Sequence, residues 1–153
     1  MMKGPLFYSK ILLFGEYGII EDSKGLSIPY NFFKGALKIP ETPSEISKNS
    51  NSILFDFCNH LKQTKGLSDL DLILFEKHLK EGLYFDSSIP KGYGVGSSGA
   101  LVAAVYDKYS NNKITVLENL TREKLLKLKT IFSKMESFFH GKSSGLDLSL
   151  IHI

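Results

Sequence analysis

Pro90-Lys-Gly-Tyr-Gly-Val-Gly-Ser-Ser-Gly-Ala100 is the stretch around which the chain is read. Leu83 to Ile89 before it is strand-like, and Leu101 to Tyr109 after it is apolar and helix-like. Gly94, Gly96 and Gly99 carry no Cβ, so main-chain N–H groups there can close on a ligand. The helix that follows would aim its N-terminus at the same point. Loop amides and the positive end of a helix together make an anion site, and phosphate is its usual occupant. Ser97 and Ser98 add hydroxyls that can cap the helix or reach a phosphate or a metal.

Other readings fit parts of the same stretch. A glycine–serine turn that only caps a helix has a similar composition. Gly94-x-Gly-x-x-Gly99 also matches a dinucleotide fingerprint, with strand-like Lys113 to Glu118 downstream and its acid at about the expected distance. That fingerprint wants its strand to run straight into the first glycine, whereas Pro90, Lys91, Gly92 and Tyr93 intervene here. No Gly-Lys-Ser/Thr follows, so the stretch is not a Walker A loop.

The bulk composition narrows the classes. At 153 residues the chain suits one domain with a sizeable core. Hydrophobic residues at 42% and charged residues at 23% are ordinary for a soluble globular protein. A net charge of +3, spread along the chain, is too mild to argue for nucleic acid and does not oppose a phosphorylated ligand. The single cysteine, Cys58, excludes an internal disulfide, fits a cytoplasmic setting and reads as a core residue. No segment is long enough to span a membrane. Lys10 and Glu16 bracket the apolar run Ile11 to Phe14, which is too short for a signal peptide. Leu146 to Ile153 is mostly apolar and ends without a polar tail, as an interrupted chain would.

Periodicity supplies the elements. Leu6 to Phe14 reads as a buried strand broken by Gly15, with Tyr17 to Ile20 able to pair back on it. Lys10 inside that strand needs either solvent or an anion. Ser27 to Phe33 is a short strand, with Pro29 suggesting an edge. Lys34 to Asn51 reads as strand end plus loop. Ile53, Leu54, Phe57, Cys58 and Leu61 recur at helical spacing, with Asn51 or Ser52 as cap. Leu70, Leu72 and Leu74 alternate like a strand, while Leu70, Ile73 and Leu74 also fit one helical turn; the strand reading is preferred. Lys80-Glu-Gly82 would then turn that strand back onto Leu83 to Ile89 as a hairpin. Thr121 is a good cap for a long helix with Glu123 in its first turn. Leu125, Leu128, Phe132, Met135 and Phe139 form that helix's apolar stripe. Glu136 sits at the stripe's edge, either meeting water or holding a cation. His140-Gly-Lys-Ser-Ser-Gly-Leu-Asp147 follows, placing glycines, hydroxyls and a carboxylate at the helix end.

Three segments, Ser9 to Tyr17, Pro90 to Ala100 and Glu136 to Asp147, together resemble the GHMP small-molecule kinases, in the family's order and over nearly the whole chain. The branch acting on mevalonate looks nearest. Lys91, Gly92, Gly94, Val95, Gly96, Ser97, Ser98, Gly99 and Ala100 are similar to the family's phosphate loop, from which Val95 and Gly99 depart mildly. The resemblance implies ATP and Mg²⁺. Ser98 and Glu136 would hold the Mg²⁺, the loop would bind the phosphates, and Asp147 would take the proton from the substrate hydroxyl. Lys10 would keep Asp147 ionised and polarise that hydroxyl, and Glu16 would lie near the mevalonate end of the cleft.

The same resemblance implies an α+β fold, a two-layer mixed sheet with helices on one face, like the second domain of ribosomal protein S5. It implies a small-molecule partner, no nucleic acid or membrane, and is compatible with a homodimer. The family's C-terminal half does not follow Ile153, so residues 1–153 read as the N-terminal, ATP-binding portion of a kinase. Tyr17 stands where histidine is usual after Gly-Glu and looks more like the phosphomevalonate branch. That branch, a dinucleotide-binding domain and a nucleotide-binding fragment without catalysis remain the alternatives.

Overall fold

The computed structural model describes residues 5–14, 26–89, 97–114 and 121–140, with the backbone alone at 8–14, 26–33 and 140. Its elements, in chain order, are β1 (Phe7–Phe14), β2 (Leu26–Lys38), α1 (Glu45–Gln63), α2 (Leu72–Lys80), β3 (Tyr84–Ser87), α3 (Ser97–Tyr109) and α4 (Arg122–His140). Among the described residues, four helices and a three-stranded sheet of order β1-β2-β3 make an α+β fold. Both described pairings are antiparallel, so the expected mixed sheet has no parallel pair among the described residues. Tyr17 to Ile20, expected to pair with β1, lie outside them.

β2 is longer than the Ser27 to Phe33 expectation and lies between the other two strands. Pro29 is nevertheless tolerated, for a local reason. It stands opposite Lys10 in the β1 ladder, while β3 pairs only with Gly35 through Lys38. Pro29 therefore lies where β2 has one neighbour among the described residues, a position that suits a residue without an N–H.

The helices correct the sequence reading twice. α1 begins at Glu45, well before the expected Asn51 or Ser52, because Ser44 and Ser47 form a reciprocal capping box. The Ser47 N–H donates to Ser44 Oγ at 3.1 Å and the Ser44 N–H to Ser47 Oγ at 2.9 Å. Of the segment expected to be a strand at Leu70 to Leu74, only Leu70 makes a β-bridge, to Ser110, and Leu72 to Leu74 open α2 instead. Asp71 caps that helix, its Oδ1 accepting from the Leu74 N–H at 3.0 Å. Phe75 and Leu79, one helical turn apart, are fully buried on its inner side. The expected hairpin is therefore absent. Gly82, at φ 97°, does reverse the chain, but into a β3 that pairs with β2.

Asn51 and Ser50 lock α1 onto that reversal. Asn51 Nδ2 donates to the carbonyls of Leu79 and Leu83 at 2.9 and 2.7 Å, and Ser50 Oγ accepts the Phe85 N–H at 2.9 Å. A side chain of α1 thus satisfies an edge amide of β3.

α3 is the central helix. It packs against β1, β2, α2 and α4. Gly99 through Tyr106 are all buried, as is Tyr109, which suits a helix apolar on every side. Leu54, Phe57, Leu61, Phe75, Leu79, Leu83, Val102, Val105, Phe132 and Met135 complete the core, and Cys58 lies in it as expected. No helix among the described residues is long and apolar enough to cross a membrane.

Candidate functional site

α3 is described from Ser97 onward, so Ser97, Ser98, Gly99 and Ala100 make up its first described turn, with no acidic residue among them. The N–H groups of a first turn have no partner within the helix and carry the positive end of the dipole. Gly99 and Ala100 are buried where α3 meets its neighbours. The small side chains let the turn sit deep in the fold. Lys91, Gly92, Gly94, Val95 and Gly96 lie outside the described residues.

α4 supplies the second component. Thr121 caps it as expected, its Oγ1 accepting from the Lys124 N–H at 3.2 Å, and Glu123 lies in the first turn. Leu128, Phe132 and Met135 of the expected stripe are buried, while Leu125 is 44% exposed. Glu136 is 2% exposed, among the most buried side chains of the structure. The alternative of a carboxylate at the water boundary is excluded. Ser98 Oγ lies 3.4 Å from Glu136 Oε1, across 38 residues of sequence.

That separation is longer than the ~2.7–2.8 Å usual for a hydroxyl–oxygen hydrogen bond. In the near-octahedral shell that Mg²⁺ demands, adjacent ligand oxygens at ~2.1 Å stand about 3.0 Å apart. The pair fits a hard cation in donor type, and a shift of about 0.4 Å would bring it to that spacing. Among the described residues there is no group of three or more His, Cys, Asp or Glu able to hold a metal. A site with one carboxylate and a hydroxyl suits an ion that also takes ligands from substrate phosphates, the usual habit of Mg²⁺.

Beside this turn lies a cavity of about 470 Å³. Ile53, Phe85, Ile89, Leu101 and Phe139 give it an apolar lining, with Asn49 and Asp86 among its polar groups. Ser97 and Ser98 are part of its wall. Sequence periodicity missed this cavity because α1 contributes its N-terminal half, which had read as a loop. Asp86 is held by Lys38, whose amine lies 2.6 Å away, and that hydrogen bond is the main reason Lys38 titrates above the usual lysine value.

α4 is also tied to α1. Ser137 Oγ donates its one proton to the Lys134 carbonyl at 2.6 Å, so His60 Nε2, 3.3 Å from the same oxygen, is the donor toward it. Phe57 meets the rings of Phe138 and Phe139 at 5.4 and 5.3 Å. Of the other expected site residues, Lys10 lies on β1, a strand that α3 packs against, and its backbone position alone is described. Glu16, Asp147 and Glu118 lie outside the described residues. The dinucleotide alternative needs a parallel sheet, whereas β3, the described strand nearest the loop in sequence, joins the sheet antiparallel.

The described residues thus form an α+β domain in which Ser98, near the start of α3, meets the buried acid Glu136. Residues 54–151, well over half of the chain, match the family described as GHMP kinases N terminal domain, and the chain belongs to the GHMP kinase family. No curated relative and no solved structure gives a match.

Proposed function

We propose that the protein is an ATP- and Mg²⁺-dependent kinase that phosphorylates the primary alcohol of mevalonate, in the cytoplasm. The observation that carries this reading is the approach of Ser98 to Glu136 at the first turn of α3. Ser98 and Glu136 hold Mg²⁺ against the ATP phosphates. The amides from Gly94 to Ala100, with Lys91 and Gly92 before them, bind those phosphates. The neighbouring cavity, mostly apolar with a few polar groups, suits a flat base. Bound Mg²⁺ supplies charge neutralisation between the phosphates. Phosphoryl transfer needs mainly positioning and electrostatic stabilisation, so few covalent roles fall to the protein.

Asp147 accepts the proton of the substrate hydroxyl, Lys10 keeps Asp147 ionised, and Glu16 lines the mevalonate end. The sheet carries its helices on one face, in the layering of the second domain of ribosomal protein S5. Asp147→Asn tests the assignment. ATP binding should persist while turnover falls by about 10²–10⁴-fold, the usual contribution of a general base. Undiminished turnover would remove Asp147 from the role. Tyr17 favours 5-phosphomevalonate as a second candidate acceptor, and assays with the two acceptors side by side separate them.

A further inference from the structure

We propose that Tyr106 is a positioning residue for the Ser98–Glu136 pair, acting through Phe132; the inference rests on the kinase reading above. Phe132 lies one helical turn before Glu136 on α4, so the two side chains leave the same side of that helix. Tyr106 stands on α3, the helix that carries Ser98. The Tyr106 and Phe132 rings meet edge to face, with centroids 4.9 Å apart and planes at 87°. Both residues are buried, at 2% and 0% exposure.

The tyrosine is fixed at its other end as well. Its hydroxyl accepts the Ile114 N–H at 2.9 Å, so the chain just after α3 returns to the ring's tip. A side chain with two torsions, held by the Phe132 ring and by that bond, is a rigid spacer between α3 and α4. The spacing it sets is the one on which joint coordination depends. At 3.4 Å the two ligand oxygens already stand about 0.4 Å beyond the ~3.0 Å of adjacent oxygens in an octahedral Mg²⁺ shell, so little further separation is tolerated. Misplacement by about 1 Å, even from a distance, can cost on the order of 10²-fold in rate.

The test uses the full chain with Mn²⁺ as the paramagnetic probe and ATP present, alongside thermal melts. Tyr106→Leu should weaken Mn²⁺ binding by about tenfold, as loss of an outer-shell support typically does. ATP binding in EDTA should be unchanged. Tyr106→Phe keeps the ring contact and should restore most of the Mn²⁺ affinity while still lowering the melting temperature. Phe132→Met conserves volume and should show the same metal-selective loss even if Tyr106→Leu does not fold. Mn²⁺ affinity unchanged in Tyr106→Leu or Phe132→Met would overturn the inference alone. So would equal losses in Tyr106→Phe and Tyr106→Leu. Failure of the unaltered chain to bind Mn²⁺ with ATP would overturn the kinase reading and this inference with it.

Discussion

Two glutamates, each on a helix and each facing a neighbouring helix, are treated oppositely by this fold. Glu76 of α2 meets Lys62 of α1 at 2.6 Å and its own neighbour Lys80 at 3.9 Å, with its side chain 36% exposed. The Lys62 hydrogen bond, followed by its charge, holds the Glu76 carboxyl below the usual value. Glu136 of α4 is 2% exposed, with the Ser98 hydroxyl at 3.4 Å. An exposed pair gains little and risks little. A buried carboxylate carries a desolvation cost that only close donors or a cation can offset. The first arrangement concerns the surface of the α1–α2 seam. In the kinase reading the second suits chemistry, because a buried carboxylate is a strong ligand for a cation.

The sharpest way to break the comparison is Glu136→Gln. In the kinase reading, ATP-dependent phosphorylation should fall by about 10²-fold or more, the scale seen when one electrostatic stabiliser is removed. The melting temperature should change far less than turnover does, since glutamine keeps the volume and shape of the side chain. A variant that keeps full Mg²⁺-dependent turnover but melts early would recast Glu136 as a structural residue. The comparison would then collapse.

The same contrast explains what could be read from the sequence. The helix of Thr121, Leu128, Phe132 and Met135 was legible because a cap and a 3.6-residue period agree. Leu70 to Leu74 is ambiguous in sequence because Leu70, Leu72 and Leu74 fit a strand while Leu70, Ile73 and Leu74 fit a helical turn. The decision came from Asp71 as cap and from the burial of Phe75 and Leu79, which only tertiary packing reveals. The early start of α1 was written as Ser44-x-x-Ser47, a weaker variant of the usual capping box. The polar turns after it carried no apolar period to betray the helix. For the site, residue types and order suggested Ser98 and Glu136, but their approach across 38 residues is a product of packing. The cavity had no local signal, since three separate elements and the end of α4 build its wall.

A middle-sized effect is expected on the α1–α2 side. Asp71→Ala removes the cap of α2 and should cost about 1 kcal/mol. The urea midpoint should drop with an unchanged slope, since the surface exposed on unfolding stays the same. Turnover should be unaffected, because α2 meets α3 at a distance from the Ser98 end. A loss of activity larger than the loss of stability would mean that the two seams are coupled.

The smallest effect belongs to Glu76, and its sign can be worked out. The folded carboxyl titrates below the unfolded one, so in the unfolded state it binds a proton first as pH falls. Its contribution is therefore present above the unfolded value of about 4.3 and is lost as pH falls through the lower, folded value. Glu76→Gln should leave the denaturation midpoint unresolved from the parent at ~0.15 M salt, where exposed charges are largely screened. At low salt and neutral pH a slight fall should emerge, and it should vanish below the folded titration point. A drop exceeding that of Asp71→Ala would show that the lysines around Glu76 stabilise the α1–α2 seam more than its cap does, and exposure would no longer separate the two acids.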